Sequence, residues 1–234
     1  MSRETELRWY LTNRWGDSDS HAKVLELIDE IVGYPPKAHP DDSEQEGSWR
    51  VALVVGHNAR HKGAFCAGQT NQFEYDYNNE VANLVIAKGI AHVAIKRFNR
   101  VYSGSYSQEI RTCYKKVNAW DPHLIIEMHF NGGGGNYTSQ LVAAGYPKTA
   151  TVGAAVQQVF VDELGFRDYG LMKRTENEDG GGSLYAGNAP TVLTEPFFGD
   201  NPDHQLKVGK LGHAGMALVY RKAIVAGLTV ISNR

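Results

Sequence analysis

Apolar residues in this chain fall into short β-rich runs that alternate with longer amphipathic stretches. The runs are Arg50 to Val55, Ala91 to Phe98, Leu124 to Phe130 and Thr191 to Thr194. Helical spacing of apolar positions fills the intervals at about Asn78 to Lys88, Ser105 to Trp120, Lys148 to Leu164 and Pro202 to Ala226. Gly89 and Gly165 stand where C-terminal caps would end two of these helices. This alternation predicts an α/β fold: one three-layer domain, with a mostly parallel or mixed twisted sheet and helices on both faces. The glycine clusters Gly132 to Gly135 and Gly180 to Gly182 read as mobile loops.

Ahead of this domain the pattern changes. Val24, Leu25, Leu27, Ile28, Ile31 and Val32 line one side of a helix predicted over Ser20 to Val32, with Asp19 or Ser20 as its cap. The segment "GYPPKAHPDDSEQEGS", Gly33 to Ser48, mixes prolines, acids and small residues and reads as a linker. Residues 1–48 are therefore an expected helical extension, and 49–234 the main domain.

Three of the apolar runs give out on a residue able to do chemistry. The run within "VVGHNARH" gives out at His57, that within "LIIEMHFN" at His129 and that within "TVLTEPFF" at Glu195. Sheets of this kind hold ligands outside the carboxyl ends of their strands. A histidine at a strand end is commonly no more than a satisfied polar residue. Two of them with a carboxylate match what an open zinc site takes: two His, one Glu and a water. Glu195 is either an exposed loop glutamate or a general base within reach of that water.

The third ligand is not settled by spacing. "QFEYDYNNEVANLVIAKG" offers Glu74, Asp76 and Glu80 at the start of a helix. Glu74 with Asn78, or Glu80 with Asn83 one turn later, would share a helix face. Glu127 lies two residues before His129 on the same strand face, placed to orient that histidine. The stretch His57 to His61 is no HExxH zinc motif, because position 58 is Asn and no long helical pattern surrounds it. His61 therefore reads as a loop residue or a support for the site. His21, His39, His92, His204 and His213 lack convergent context and read as structural or solvated, and His123 opens its strand at the wrong end to reach the same metal. Nucleophile elbows, P-loops and dinucleotide fingerprints are absent from the sequence. Cys66 as a nucleophile would need a histidine beside it, and ranks below the zinc reading.

Composition narrows the class. With 42% hydrophobic and 21% charged residues, the 234-residue chain can bury a full core. A net charge of -2 gives no basic footprint for nucleic acid or for an anionic membrane surface. The longest apolar stretches read as short of a membrane span. Cys66 and Cys113 are the only cysteines, which is no disulfide framework and reads as two reduced thiols. The N-terminal residues lack the apolar core of a signal peptide, so synthesis in the cytoplasm is expected.

Taken in order, these motifs resemble the zinc-dependent N-acetylmuramoyl-L-alanine amidases of bacterial cell division and of phage endolysins. The family pattern begins with a strand leading to Gly-His, as in "VVGHNARHKGA", followed by E-x-D-x-N, as in "EYDYN" from Glu74 to Asn78. A strand ending in Arg, "HVAIKRF", precedes a helix that carries Arg and ends in Asn, Arg111 to Asn118. The S-I-H-A-N strand is matched by "EMHFN" and the P-x-V-L-x-E-x-x-F-x-x-N segment by "PTVLTEPFFGDN", Pro190 to Asn201. The resemblance spans roughly residues 50–228. It implies a zinc-amidase, carboxypeptidase-like fold with His57, Glu74 and His129 on zinc and Glu195 as the catalytic carboxylate. It also favours Glu74 over Glu80. Three departures stand out: Glu127 replaces a small residue, "GGGG" replaces the usual loop after His129, and Tyr169 stands where Arg is frequent.

The resemblance implies a hydrolase that cuts between N-acetylmuramic acid and L-alanine in peptidoglycan, with Zn2+ as cofactor and the cell wall as its partner. An endolysin released onto the wall by other proteins is the expected setting, and a cytoplasmic enzyme of peptidoglycan turnover fits the same facts. Two other readings remain: a zinc carboxypeptidase-like enzyme on free peptides or acyl-amino acids, and a non-catalytic wall-binding protein on the same scaffold.

Overall fold

The computed structural model describes residues 49–233. The helix expected over Ser20 to Val32 and the linker to Ser48 lie outside the described residues. Six strands form one sheet: β1 (Trp49–Val55), β4 (Val93–Asn99), β5 (Leu124–Met128), β6 (Thr138–Ala143), β7 (Asp168–Arg174) and β8 (Thr191–Glu195). A short antiparallel ribbon, β2 (Phe65–Cys66) and β3 (Gln72–Phe73), stands apart from it. The helices are α1 (Glu74–Lys88), α2 (Tyr106–Ala119), α3 (Pro147–Leu164), α4 (Gly181–Ala186) and α5 (Pro202–Ser232), the last kinked at Gly212.

Strand order across the main sheet is β4-β1-β5-β8-β6-β7. Every neighbouring pair is parallel except β6 with β8. Alternation along the strands sorts their side chains to two faces. Val51, Leu53, Val55, Leu124, Ile126 and Met128 pack against α1, α3 and α5. Ala52, Val54 and Ile125 face α2, while Leu141 and Leu193 face α4. The architecture is the three-layer α/β fold expected from the alternation. Burial at Glu74, Tyr77, Asn78, Val81, Ala82 and Val85 marks one face of α1, so its first inward residue is a carboxylate.

The structure also differs from the sequence pattern in places. Strands β6 and β7 were not among the expected runs: β7 is an edge strand, DYGLMKR, with no fully buried residue to mark it, and in β6, Thr138, Ser139 and Gln140 are polar yet fully buried. Hydrogen bonding makes this tolerable: Gln157 donates to the Thr138 carbonyl at 2.9 Å and accepts from Gln140 at 3.0 Å. The Gly180 to Gly182 cluster is no mobile loop, since Gly181 and Gly182 open α4. The backbone N–H groups of Gly133 and Gly134 both donate to Asp200, at 2.7 and 2.9 Å, which ties down the other cluster. Helix α5 is long and apolar enough, by length and composition, to cross a bilayer, although the apolar stretches read as too short. With 61% of its most apolar window buried, it serves here as a core helix packed on α3.

Candidate metal centre and cleft

Strands β1, β5 and β8 end side by side, and each hands its last residues to one place. Beyond β1 the chain turns sharply: the Gly56 N–H donates to the Met128 carbonyl at 3.0 Å, and His57 takes a left-handed φ of 63°. A non-glycine residue there costs backbone strain, which the surroundings must hold in place. Asn58 does so. Its side-chain oxygen accepts from the N–H groups of Arg60 and His61, both at 2.9 Å, and its amide donates to buried Glu109 at 2.8 Å.

Glu74 opens α1 and is buried. Its Oε1 lies 2.7 Å from His129 Nδ1 and accepts from the Phe130 N–H at 3.1 Å. Its Oε2 lies 3.2 Å from His57 Nε2 and accepts from the Ala64 N–H at 3.1 Å. Asn78, one turn on, donates to the Met128 carbonyl at 3.2 Å and ties the helix to the end of β5. Burial opposes the Glu74 charge, but hydrogen bonds and positive charge from His129 and His57 outweigh it and hold the carboxyl low. Burial likewise opposes a charged His129, yet the Glu127 and Glu74 carboxylates push its pKa up to about 10.

The ligand atoms of His57, Glu74 and His129 all lie within 4.8 Å of one another. Among the described residues no other group of three or more His, Cys, Asp or Glu side chains converges in this way. Two imidazoles and one carboxylate are a fitting donor set for zinc in an open site. The glycines leave the room. A Cβ on Gly56 would sit 2.2 Å from His129 Cε1, and one on Gly63 would sit 2.5 Å from Glu74 Oε2.

Glu80 stays out of this cluster. It lies on an exposed turn of α1, accepts from Gln72 at 2.6 Å and pairs with His213 at 3.4 Å. His61 is exposed and packs on Tyr102, with ring centroids 5.6 Å apart. His204 is a buried structural residue whose Nδ1 accepts from the Phe198 N–H at 2.9 Å, and His123 Nδ1 accepts from the Arg50 N–H at 3.0 Å. Cys66 and Cys113 are both free and buried, and burial pushes both thiols up, Cys113 to about 12.

His57, His129 and Glu195 line one cleft of about 940 Å³. Arg111 and Arg174 also line it, together with Glu176, Glu178 and Asp179. Glu195 ends β8, and its Oε2 is buried without a hydrogen-bond partner. Burial raises its pKa to about 8 despite the positive charge of His129 and Arg174. Sequence reasoning missed Arg100, Tyr114 and Ser183, which surround Glu127 beneath the cleft. Only Glu127 itself carried a signal, as a charged residue in an otherwise apolar strand.

The family model for N-acetylmuramoyl-L-alanine amidase (Amidase_3) matches residues 51–224. Among solved structures, an N-acetylmuramoyl-L-alanine amidase from Clostridium difficile 630 is similar at TM-score 0.62 and 15% identity, over 77% of this chain and 96% of that one. The catalytic domain of an endolysin targeting Clostridia difficile is similar at TM-score 0.59 and 23% identity, over 75% and 97%. The catalytic domain of the amidase CwlV from Bacillus (Paenibacillus) polymyxa var. colistinus gives TM-score 0.60 at 16% identity, over 75% and 96%. These likenesses are of fold. No curated protein sequence matches.

Proposed function

Because the chain belongs to the N-acetylmuramoyl-L-alanine amidase family, we propose that it is a zinc-dependent hydrolase of peptidoglycan, cutting the amide between N-acetylmuramic acid and the first L-alanine of the stem peptide. The observation that carries this reading is the convergence of His57, Glu74 and His129 at a cleft that also holds the unpartnered Glu195 oxygen. Zinc held by those three side chains would lower the pKa of water to about 7 and polarise the scissile carbonyl.

The rest of the chemistry falls to the protein. Glu195 Oε2 has no competing partner, so it is free to take a proton from the attacking water and return it to the departing alanine nitrogen. Burial alone favours its neutral form, and a cation held nearby favours the charged form that a base requires. The backbone N–H groups of Phe130 and Ala64 hold the Glu74 carboxylate in place. The cleft suits a peptide bearing both carboxylates and an amine, since Arg111 and Arg174 share it with Glu176, Glu178 and Asp179.

Turnover of a soluble muramyl peptide, set against the same peptide without the sugar and against N-acyl amino acids, tests the substrate. Hydrolysis confined to the muramyl compound is expected. Preference for free peptides or acyl-amino acids would move the chain to a carboxypeptidase-like activity, and binding to walls with no bond cut would make it a non-catalytic relative. A phage-type endolysin is the narrower form of the same reading, supported by the endolysin catalytic domain among the structural neighbours. Lysis of intact cells by added protein tests it.

A further inference from the structure

Beneath His129 the sheet and the α2/α4 layer enclose a charged cluster that a hydrolytic site does not by itself require. Glu127 is 0% exposed, yet it accepts from three side chains. Its Oε1 lies 3.0 Å from His129 Nε2 and accepts from the Ser183 hydroxyl at 3.1 Å. Its Oε2 accepts from the Tyr114 hydroxyl at 2.5 Å. The Arg100 guanidinium, itself 1% exposed, reaches to 3.8 Å from Oε1. Four elements thus meet on one carboxylate: the end of β4, α2, α4 and β5.

Burying a carboxylate and a guanidinium together is costly, and apolar residues would fill the same space at less cost. The arrangement has a direction. The Arg100 guanidinium makes no hydrogen bond to Glu127, and it lies 4.9 Å from the Tyr106 ring centroid. Arg100 therefore acts on Glu127 through its charge, at a distance too long for a hydrogen bond, while the contacts with His129, Ser183 and Tyr114 fix where the two carboxylate oxygens lie. An acceptor at His129 Nε2 requires the proton to sit on that nitrogen. Nδ1 faces a carboxylate too, that of Glu74 at 2.7 Å, so it also carries a proton here; a cation joining Glu74 would displace that proton, while Glu127 would keep the one on Nε2.

We propose that Glu127, backed by Arg100, Tyr114 and Ser183, is a positioning residue that fixes the ring and tautomer of His129 so that Nδ1 serves as the metal ligand. This inference rests on the zinc reading of the His57, Glu74 and His129 cluster. Carboxylates placed behind ligating histidines typically change metal affinity by about 10- to 100-fold.

Zinc affinity, measured by competition with a chromophoric chelator on the full chain, tests it without recourse to turnover. Glu127→Gln should bind zinc about 10- to 100-fold more weakly than wild type, with Tyr114→Phe falling between the two. Folding of each variant is checked by circular dichroism. Because Glu127→Gln leaves Arg100 without its counter-charge and can fail to fold, the tautomer is also read in wild-type protein. In the zinc-loaded chain with 15N-labelled histidine, His129 should carry its proton on Nε2 and the metal on Nδ1. A folded Glu127→Gln protein with wild-type zinc affinity, or His129 bound through Nε2, would overturn the inference and leave the zinc site standing. Wild-type protein that takes up no zinc would overturn both.

Discussion

Replacing Gly56 with alanine should empty the metal centre through a single methyl group. Gly56 follows β1, and a Cβ built there would come within 2.2, 2.3 and 2.6 Å of three ring atoms of His129. Ordinary contact begins near 3.4 Å, so the ring would have to retreat by about 1.2 Å. It has nowhere to go. Nδ1 is held at 2.7 Å from Glu74 and Nε2 at 3.0 Å from Glu127, and the ring is nearly buried. Over-packing of this kind costs about 1–3 kcal/mol of stability, since neighbours must leave their preferred rotamers. Metal binding is less forgiving, because ligand distances must hold to within about 0.2 Å. Gly56→Ala should thus remain folded with a lower melting temperature, yet bind zinc at least 100-fold more weakly than wild type. Calorimetric melting with and without chelator, beside a zinc competition titration, measures both quantities. A Gly56→Ala protein that binds zinc as tightly as wild type would refute the packing reasoning and the place of His129 in the centre.

Other substitutions separate the roles in the cleft. Glu195→Gln should keep its zinc and its fold, while kcat falls by about 100- to 10,000-fold, the usual worth of a general base; loss of zinc from this variant would make Glu195 a ligand instead. Glu74→Ala should lose zinc by elemental analysis whereas Glu80→Ala retains it, and the reverse result would overturn the choice of carboxylate. A chain beginning at Trp49, next to Ser48, should fold and still cleave a soluble muramyl peptide, because every residue of the proposed site lies beyond the expected linker. A folded, zinc-loaded truncation without turnover would show that residues 1–48 help to build the site.

The parts of this molecule that the sequence made legible are those where one physical signal dominates. Strands β1, β5 and β8 are apolar runs that end on His57, His129 and Glu195, and a sheet of this class brings such ends together. Glu74 could not be separated from Glu80 by spacing, because the choice turns on where α1 begins: the helix starts at Glu74 itself and turns it inward. Strand β7 was hidden by its exposure at the sheet edge, and β6 by its own chemistry. Thr138, Ser139 and Gln140 look like loop residues until Gln157 is seen beside them. Helix α4 was hidden by its leading glycines, and Gly181 is there because a side chain would meet the Thr175 carbonyl at 2.0 Å. Arg100, Tyr114 and Ser183 gave no signal, because only the fold brings them to Glu127 across separations of 13 to 56 residues.

Peptidoglycan digestion under metal control is the most direct test of the central claim. The purified chain, stripped with chelator and then reloaded with zinc, is incubated with intact sacculi, and the products are identified by mass spectrometry. Zinc-dependent release of stem peptides with free L-alanine N-termini, from glycan strands that keep their length and carry unsubstituted muramic acid, is the expected result. Cleavage within the glycan or deeper in the peptide, or release of the same products by protein shown to be free of metal, would contradict it.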